Sequence, residues 1–190
     1  MSISRRGLLG MSGAALVCAT SVSFTARAHA APALVGLKEL NVRTLSFDCT
    51  NTGEYLNAVD YWIEGKYVPD ALAEIDDALR DYRSDEVYPI ATHLLDLLYQ
   101  IGRTLDTDCQ FELTSGYRSP ETNAELHELD AGVAANSLHM KGQAADITLP
   151  GRPLRKVYEA ALAMRVGGVG YYPDDDFLHV DVGRVRRWEG

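Results

Sequence analysis

One short run of the sequence constrains the fold more than any other. Residues 144–149, AADITL, have the apolar character of a buried β-strand but carry an acid, Asp146, at their centre. A carboxylate inside a protein is almost always paired or bound to a metal, because burying an isolated charge costs much free energy. His139 precedes this run, and Gly142 between them permits the tight reversal that would bring the imidazole back over Asp146. The run therefore predicts a strand whose carboxylate is neutralised by a metal ion.

A second run supplies another imidazole. Residues 177–181, FLHVD, alternate so that His179 and Asp181 share one face of a strand. A single histidine is more often a part-buried group than a ligand, but two imidazoles and a carboxylate are the donor set of a hydrolytic zinc site with one position left for water. We therefore predict that one Zn²⁺ is bound by His139, Asp146 and His179. The same donors would accept other divalent ions, whereas a calcium site would need more oxygen ligands.

The first thirty residues have the pattern of a twin-arginine signal peptide. Arg5 and Arg6 precede a Gly/Ala/Ser-rich apolar run, which ends in a small-x-small cleavage pattern at Ala30. The apolar run is short for an uncleaved membrane anchor. We expect cleavage after Ala30 and export to the periplasm, where residues 31–190 form a single domain with no transmembrane segment.

The charge balance argues against a nucleic-acid partner. Loss of the three arginines in residues 1–30, with no acid lost, would change the net charge from −9 to −12. Such an acidic chain is a poor nucleic-acid binder, so no nucleic-acid partner is expected.

Cys49 and Cys109 would lie in an oxidising compartment, where they could form a disulfide or remain two free thiols.

Apolar spacing and turn residues indicate helices first and strands mainly in the second half. Ser119 is a helix-capping residue placed directly before Pro120, which suits a first helical position. The predicted class is α+β, with a small antiparallel sheet that carries the zinc site and is flanked by helices. The predicted elements are a strand over 37–49, helices from Pro69 and from Pro89, a strand over 111–116, a helix over 120–129, a strand carrying His139, the strand 144–149, a helix over 153–164, and a hairpin of 168–172 with the His179 strand.

Three motifs in this order resemble a known zinc peptidase superfamily, that of D-alanyl-D-alanine carboxypeptidases, VanX/VanY-type dipeptidases and hedgehog-like domains. They are Ser115-Gly-Tyr-Arg118-Ser, Ser137-x-His139-x-x-Gly142-x-Ala144-x-Asp146, and x-His179-x-Asp181. Flanking blocks, among them Gly167-Gly-Val-Gly-Tyr-Tyr-Pro173 and the closing Gly183-Arg-Val-Arg-x-Trp188, are similar to the YcbK/MepK-like branch of murein endopeptidases. The similarity extends over nearly all of residues 31–190.

The resemblance implies a periplasmic zinc endopeptidase that hydrolyses peptidoglycan stem-peptide crosslinks, between two diaminopimelate residues. It assigns the metal to His139, Asp146 and His179, and it places Arg118 against the scissile carbonyl or a substrate carboxylate, where bidentate guanidinium donors suit both. Ser137 matches a substrate-contacting position but could equally cap the backbone. A D,D- or L,D-carboxypeptidase, or a non-catalytic cell-wall-binding module that keeps zinc for structure, are the alternatives.

The general base is where this chain departs from its relatives. They place an acid three residues before the last ligand histidine, or a histidine two residues before it. Here Phe177 occupies the histidine position, and Asp176 occupies the acidic one within an Asp-Asp-Asp turn. We predict that Asp176 is the base and that Asp181 orients the His179 imidazole, with Asp181 as the alternative base.

Overall fold

The computed structural model describes residues 41–129 and 132–190, so the predicted signal peptide and the beginning of the first predicted strand lie outside the described part. In chain order the strands and helices are β1 (Val42–Cys49), β2 (Glu54–Ile63), β3 (Lys66–Tyr67), α1 (Pro69–Ala78), α2 (Thr92–Thr104), β4 (Gln110–Ser115), α3 (Pro120–Leu129), a 3₁₀ helix (Leu138–Lys141), β5 (Ala144–Thr148), α4 (Leu154–Met164), β6 (Gly168–Tyr172), β7 (Phe177–Asp181) and β8 (Arg186–Glu189). The α+β class is confirmed.

The sheet is larger than predicted and is mixed rather than antiparallel. Its eight strands have the order β3-β2-β1-β4-β5-β7-β6-β8. The pairs β1/β4 and β6/β8 are parallel, and the other neighbours are antiparallel. The prediction of a small antiparallel sheet is therefore wrong in size, because it lacks β2, β3 and β8, and wrong in direction, because β1 pairs with β4 in parallel across the helices between them.

One apolar core joins the helices to the sheet. Fully buried side chains of α1, α2 and α4 include Ile75, Leu98 and Val157, and they belong to the same cluster as Phe47 and Phe111 of the strands. By contrast, the buried residues of α3 are the polar Thr122 and Asn123. The predicted cap of α3 is confirmed, since the Thr122 amide donates to Ser119 Oγ over 3.1 Å. No helix among the described residues is both long enough and apolar enough to span a membrane.

Cys49 and Cys109 are two buried, free thiols. The register of the parallel pair β1/β4 sets Cys49 beside Leu113, four residues along the chain from Cys109. Four residues of strand span about 13 Å, and a disulfide needs Cα atoms closer than about 7 Å. The possible disulfide is therefore excluded by strand register.

His139 lies on the 3₁₀ helix and not on a strand, which corrects the prediction for this segment. Ser137 caps that helix, since its hydroxyl accepts from the His139 amide over 3.3 Å. Gly142 ends the helix with φ of +61°, and a side chain there would overlap the backbone of Pro89. The reversal predicted at Gly142 is confirmed, and it brings the chain directly from the 3₁₀ helix into β5.

Candidate metal centre

A single row of residues crosses the second half of the sheet and forms the floor of the site. Ser115, Asp146, His179, Gly170 and Trp188 are successive partners on β4, β5, β7, β6 and β8. Asp146 lies between the core residues 145 and 147, and His179 between the core residues 178 and 180, so strand alternation turns both side chains away from the apolar core. Asp146 and His179 are directly opposite each other in register, so the pairing of β5 with β7 brings their side chains together.

His139 reaches the same point from the 3₁₀ helix. Its imidazole is buried, and Nδ1–H donates to the Gly116 carbonyl over 2.7 Å. A carbonyl oxygen can only accept, so this bond leaves Nε2 as the unprotonated nitrogen of a neutral ring. The backbone amide of Arg118 in turn donates to the His139 carbonyl over 3.3 Å. The segment after β4 therefore fixes both the tautomer and the position of His139.

Three ligand atoms converge in a compact triangle. His139 Nε2 lies 3.1 Å from His179 Nδ1 and 3.2 Å from Asp146 Oδ1, and His179 Nδ1 lies 2.9 Å from the same carboxylate oxygen. Tetrahedral ligands about 2.0–2.1 Å from Zn²⁺ are separated by about 3.3 Å, so the triangle has nearly the dimensions of one face of such a site. Among the described residues, this is the group of acidic, histidine and cysteine side chains that could hold a metal ion.

The electrostatics of this triangle favour a bound cation. Burial lowers the pKa of His139, which keeps that ring neutral and able to coordinate. Burial alone would raise the pKa of Asp146, but His139 and His179 outweigh it and hold the pKa well below its usual range. Burial opposes charge on His179 too, yet its bonds to Asp146 and Asp181 raise its pKa to about 9. The pocket therefore stabilises an ionised carboxylate beside a positive charge.

Asp181 lies behind His179, as expected for a residue that orients an imidazole. His179 Nε2–H donates to Asp181 Oδ2 over 3.1 Å, which directs Nδ1 towards Asp146. The Asp181 carboxylate is fully buried, and the backbone amides of Gly168 and Gly183 donate to its other oxygen, each over 2.9 Å. Burial would raise its pKa, but His179, Arg186 and these amides together hold the pKa well below its usual range.

Arg118 borders the triangle. Its Nη2 lies 3.5 Å from Asp146 Oδ2 and donates to Ser115 Oγ over 3.2 Å. Only about 12% of its side chain is exposed, and its buried Nε–H has no acceptor within the part of the chain that the structure describes. The guanidinium also borders the cavity over the triangle, where a carbonyl or carboxylate oxygen of a ligand could accept from it.

A cavity of about 430 Å³ opens over the triangle. The predicted residues His139, Asp146, His179, Arg118 and Ser137 all line it. Asp176 does not; it is exposed in the turn between β6 and β7, with φ of +52°. Asp181 does not line the cavity either, since it is covered by His179.

The structure also brings residues to the cavity that were not predicted as site residues. Asp175, the neighbour of Asp176, lines the wall, as do Tyr172, Trp188 and Arg186. The Trp188 indole lies 5.2 Å from the His179 ring between centroids, and its Nε1–H donates to the Tyr172 hydroxyl over 2.8 Å. For Tyr172, Arg186 and Trp188 the only signal in the sequence is their place in two of the flanking blocks, residues 167–173 and 183–188, and for Asp175 it is the acidic turn around Asp176.

Comparisons with known proteins identify the family of this chain. The family model for the peptidase M15 group described as peptidoglycan L,D-endopeptidase MepK matches residues 38–188. The chain is 38% identical over 185 residues to the peptidoglycan L,D-endopeptidase MepK of Escherichia coli K12, an alignment that covers 97% of each chain, and equally similar to that of Shigella flexneri. The probable peptidoglycan L,D-endopeptidase MepK of Haemophilus influenzae is 40% identical over 149 residues, 78% of this chain and 80% of the relative. No solved structure matches significantly. The resemblance inferred from the motifs is confirmed: the chain belongs to the M15 peptidase family, in the branch of the MepK peptidoglycan L,D-endopeptidases.

Proposed function

We propose that this protein is a zinc-dependent peptidoglycan L,D-endopeptidase with Zn²⁺ held by His139, Asp146 and His179. The observation that carries the proposal is the triangle of three ligand atoms, separated by 2.9–3.2 Å, at the base of a cavity in a chain of this family. The mixed nitrogen and oxygen donors suit zinc. When bound, Zn²⁺ would polarise the scissile carbonyl and lower the pKa of a water molecule.

Arg118 and Ser137 are proposed to hold the substrate. The Arg118 guanidinium, which borders the cavity, would donate to the oxygen of the scissile carbonyl as negative charge develops there, and a fixed donor of this kind stabilises the transition state more than the ground state. Ser137 already accepts from the His139 amide, but its hydroxyl hydrogen is free to donate into the cavity that it lines. Both residues would thus orient the peptide over the triangle.

The proton acceptor is proposed to be a carboxylate of the turn between β6 and β7. Asp176 is the candidate from the sequence pattern, and Asp175 is the candidate that lines the cavity. Asp181 is the weaker candidate, because its two oxygens already accept from two side chains and two backbone amides. Asp175→Asn, Asp176→Asn and Asp174→Asn, compared for kcat at equal zinc content, would identify the base, with Asp174→Asn as the matched control.

The substrate is proposed to be a crosslink between two diaminopimelate residues of peptidoglycan. Metal-loaded protein should convert purified muropeptide dimers joined by such a crosslink into monomers and leave D-alanine-to-diaminopimelate dimers intact. The Asp146→Asn variant serves as the control without a complete ligand set. Release of single terminal amino acids from monomers would indicate a carboxypeptidase instead. Binding to purified cell walls with no fragment released would indicate a non-catalytic wall-binding module.

We propose that residues 1–30 are a twin-arginine signal peptide and that the enzyme acts in the periplasm. Peptidoglycan lies outside the cytoplasmic membrane, so a hydrolase of this polymer has to be exported. Replacing Arg5 and Arg6 by Lys should leave the protein in the cytoplasm, as followed by fractionation. Unchanged secretion of that variant would exclude the twin-arginine route.

A further inference from the structure

In the wall of the cavity, Arg186 of β8 makes a two-point contact with Asp181. Its Nη2 donates to Asp181 Oδ2 over 2.7 Å, and its Nη1 donates to Oδ1 over 3.1 Å. Nη1 also donates to the Arg184 carbonyl over 3.2 Å. A planar guanidinium that meets both oxygens of a carboxylate fixes its orientation, which a single contact would leave free.

The orientation of Asp181 decides how the His179 ring stands. Oδ2 accepts from both Arg186 Nη2 and His179 Nε2, so the carboxylate is held in the position where it receives the imidazole proton. With Nε2 as the donor, Nδ1 is the nitrogen that points at Asp146 and at His139 Nε2. A carboxylate free to rotate would also free the imidazole, and ligand geometry would be lost with it.

The glycines of β6 leave room for this arrangement. Gly168 pairs with Arg186 in the parallel register of β6 and β8, and a Cβ on Gly168 would overlap both Arg186 Nη1 and Asp181 Oδ2. Gly170 pairs with Trp188, and a Cβ there would lie within 2.7 Å of three indole atoms. Trp188 packs against the Arg186 guanidinium, with 4.9 Å from Cζ to the ring centroid. The spacing Gly168-x-Gly170 thus makes space for a supporting layer under the ligand row.

We propose that Arg186 is a positioning residue of the metal centre, which acts through Asp181 to hold His179 Nδ1 towards the metal, and that Gly168 is required because the Arg186–Asp181 pair occupies the space of its side chain. The proposal rests on the proposed metal site. The proposal concerns the three Arg186 N–H donors that Asp181 and the Arg184 carbonyl engage, and it assigns Arg186 no contact with the substrate.

The test measures zinc affinity and requires no peptidoglycan. Purified protein lacking residues 1–30 is titrated with Zn²⁺ in competition with a chromogenic chelator. We compare wild type with Arg186→Gln, Arg186→Lys, Gly168→Ala and the matched control Arg187→Gln. Arg187 is the exposed neighbour on β8, whose register partner is Val169. The visible spectrum of the Co²⁺-substituted proteins reports ligand geometry in parallel.

Arg186→Gln and Gly168→Ala should each weaken zinc binding by about 10–100-fold, the range typical of groups that orient a metal ligand. Arg186→Lys should lie between them and the wild type, because an ammonium keeps the charge but not the two-point contact. Arg187→Gln should bind zinc as the wild type does. The Co²⁺ spectrum should change in Arg186→Gln and Gly168→Ala alone.

Wild-type zinc affinity in Arg186→Gln, or an equal loss in Arg187→Gln, would overturn the proposal. If Arg186→Gln does not fold, Gly168→Ala carries the test, since it displaces the pair without removing a charge; wild-type affinity there would also overturn it. Failure of the proposed function is separate, because a wild-type protein that binds zinc yet cleaves no muropeptide leaves these affinities measurable. A wild-type protein that binds no zinc would overturn both.

Discussion

Asp81 is the group whose removal gives the most quantitative prediction. It lies in the loop after α1 and is 1% exposed. Its Oδ2 accepts from the Ser119 amide over 2.8 Å and its Oδ1 from the Arg83 amide over 3.0 Å. Burial would raise its pKa, but hydrogen bonds from the Thr122 side chain and from these amides outweigh burial and lower the pKa to about 2. Asp81 thereby fixes the start of α3, directly after Arg118.

The shift in the pKa of Asp81 gives the size of its contribution to stability. The ordinary value for Asp81 is 3.8 and the folded-state value is about 2. Since one pH unit corresponds to about 1.4 kcal/mol, the ionised carboxylate stabilises the folded state by about 2 kcal/mol at neutral pH. The folded-state pKa is the lower one, so this stabilisation is complete above pH 3.8 and is lost as the pH falls through 2.

Asp81→Asn should therefore lower the free energy of unfolding by about 2 kcal/mol at pH 7, because the amide cannot accept at both positions. The difference from the wild type should shrink to about 1 kcal/mol at pH 3. Urea unfolding of chelator-treated protein followed by circular dichroism measures both. Asp85→Asn is the matched control: Asp85 lies in the same loop, is 83% exposed and pairs with Arg80 at the surface, so little change is expected. A difference of equal size at pH 7 and pH 3 would refute an ionised Asp81 as the source of the stability.

Three further predictions concern the site and the cysteines. Asp146→Ala should reduce zinc affinity by more than about 100-fold, more than any supporting residue does; near-stoichiometric zinc after dialysis, measured by elemental analysis, would contradict the ligand assignment. Arg118→Lys should lower kcat by about 100-fold at unchanged zinc content, because a lysine ammonium cannot reproduce the planar array of guanidinium donors; steady-state kinetics on crosslinked dimers test this, and wild-type kcat would argue against Arg118 as the carbonyl donor. The protein lacking residues 1–30, unfolded without reductant, should show two titratable thiols from Cys49 and Cys109, and their absence would mean that a disulfide forms despite the strand register.

The convergence of His139, Asp146 and His179 could be predicted because each of them stands in a recognisable local sequence pattern. Asp146 is an acid inside an apolar strand, and His179 is held to one face by alternation over five residues. Gly142 marked the reversal that brings His139 back. His139 itself was assigned to a strand because four residues are too few to separate a 3₁₀ turn from an extended segment.

The first half of the sheet could not be predicted in the same way. In β2 only Val59 and Tyr61 are buried, so its ten residues show little of the alternation that identifies a half-buried strand. The parallel pairing of β1 with β4 joins segments about 60 residues apart in the chain, with α1 and α2 between them. Neither the size nor the mixed direction of the sheet is encoded in any single window of residues.

The residues proposed to hold the metal and those proposed to meet the substrate lie on different kinds of structural element. Asp146 of β5 and His179 of β7 are adjacent in strand register. Asp181 lies two residues further along β7, and Arg186 of β8, which contacts Asp181, pairs with Gly168 of β6. Strands fix positions more closely than loops do, which suits ligands that tolerate small errors poorly. Asp175, by contrast, reaches the cavity from a turn. We therefore expect that exchanging the β6–β7 turn changes the choice of crosslink and kcat while zinc affinity stays constant, and a parallel loss of zinc affinity would show that the turn also supports the metal.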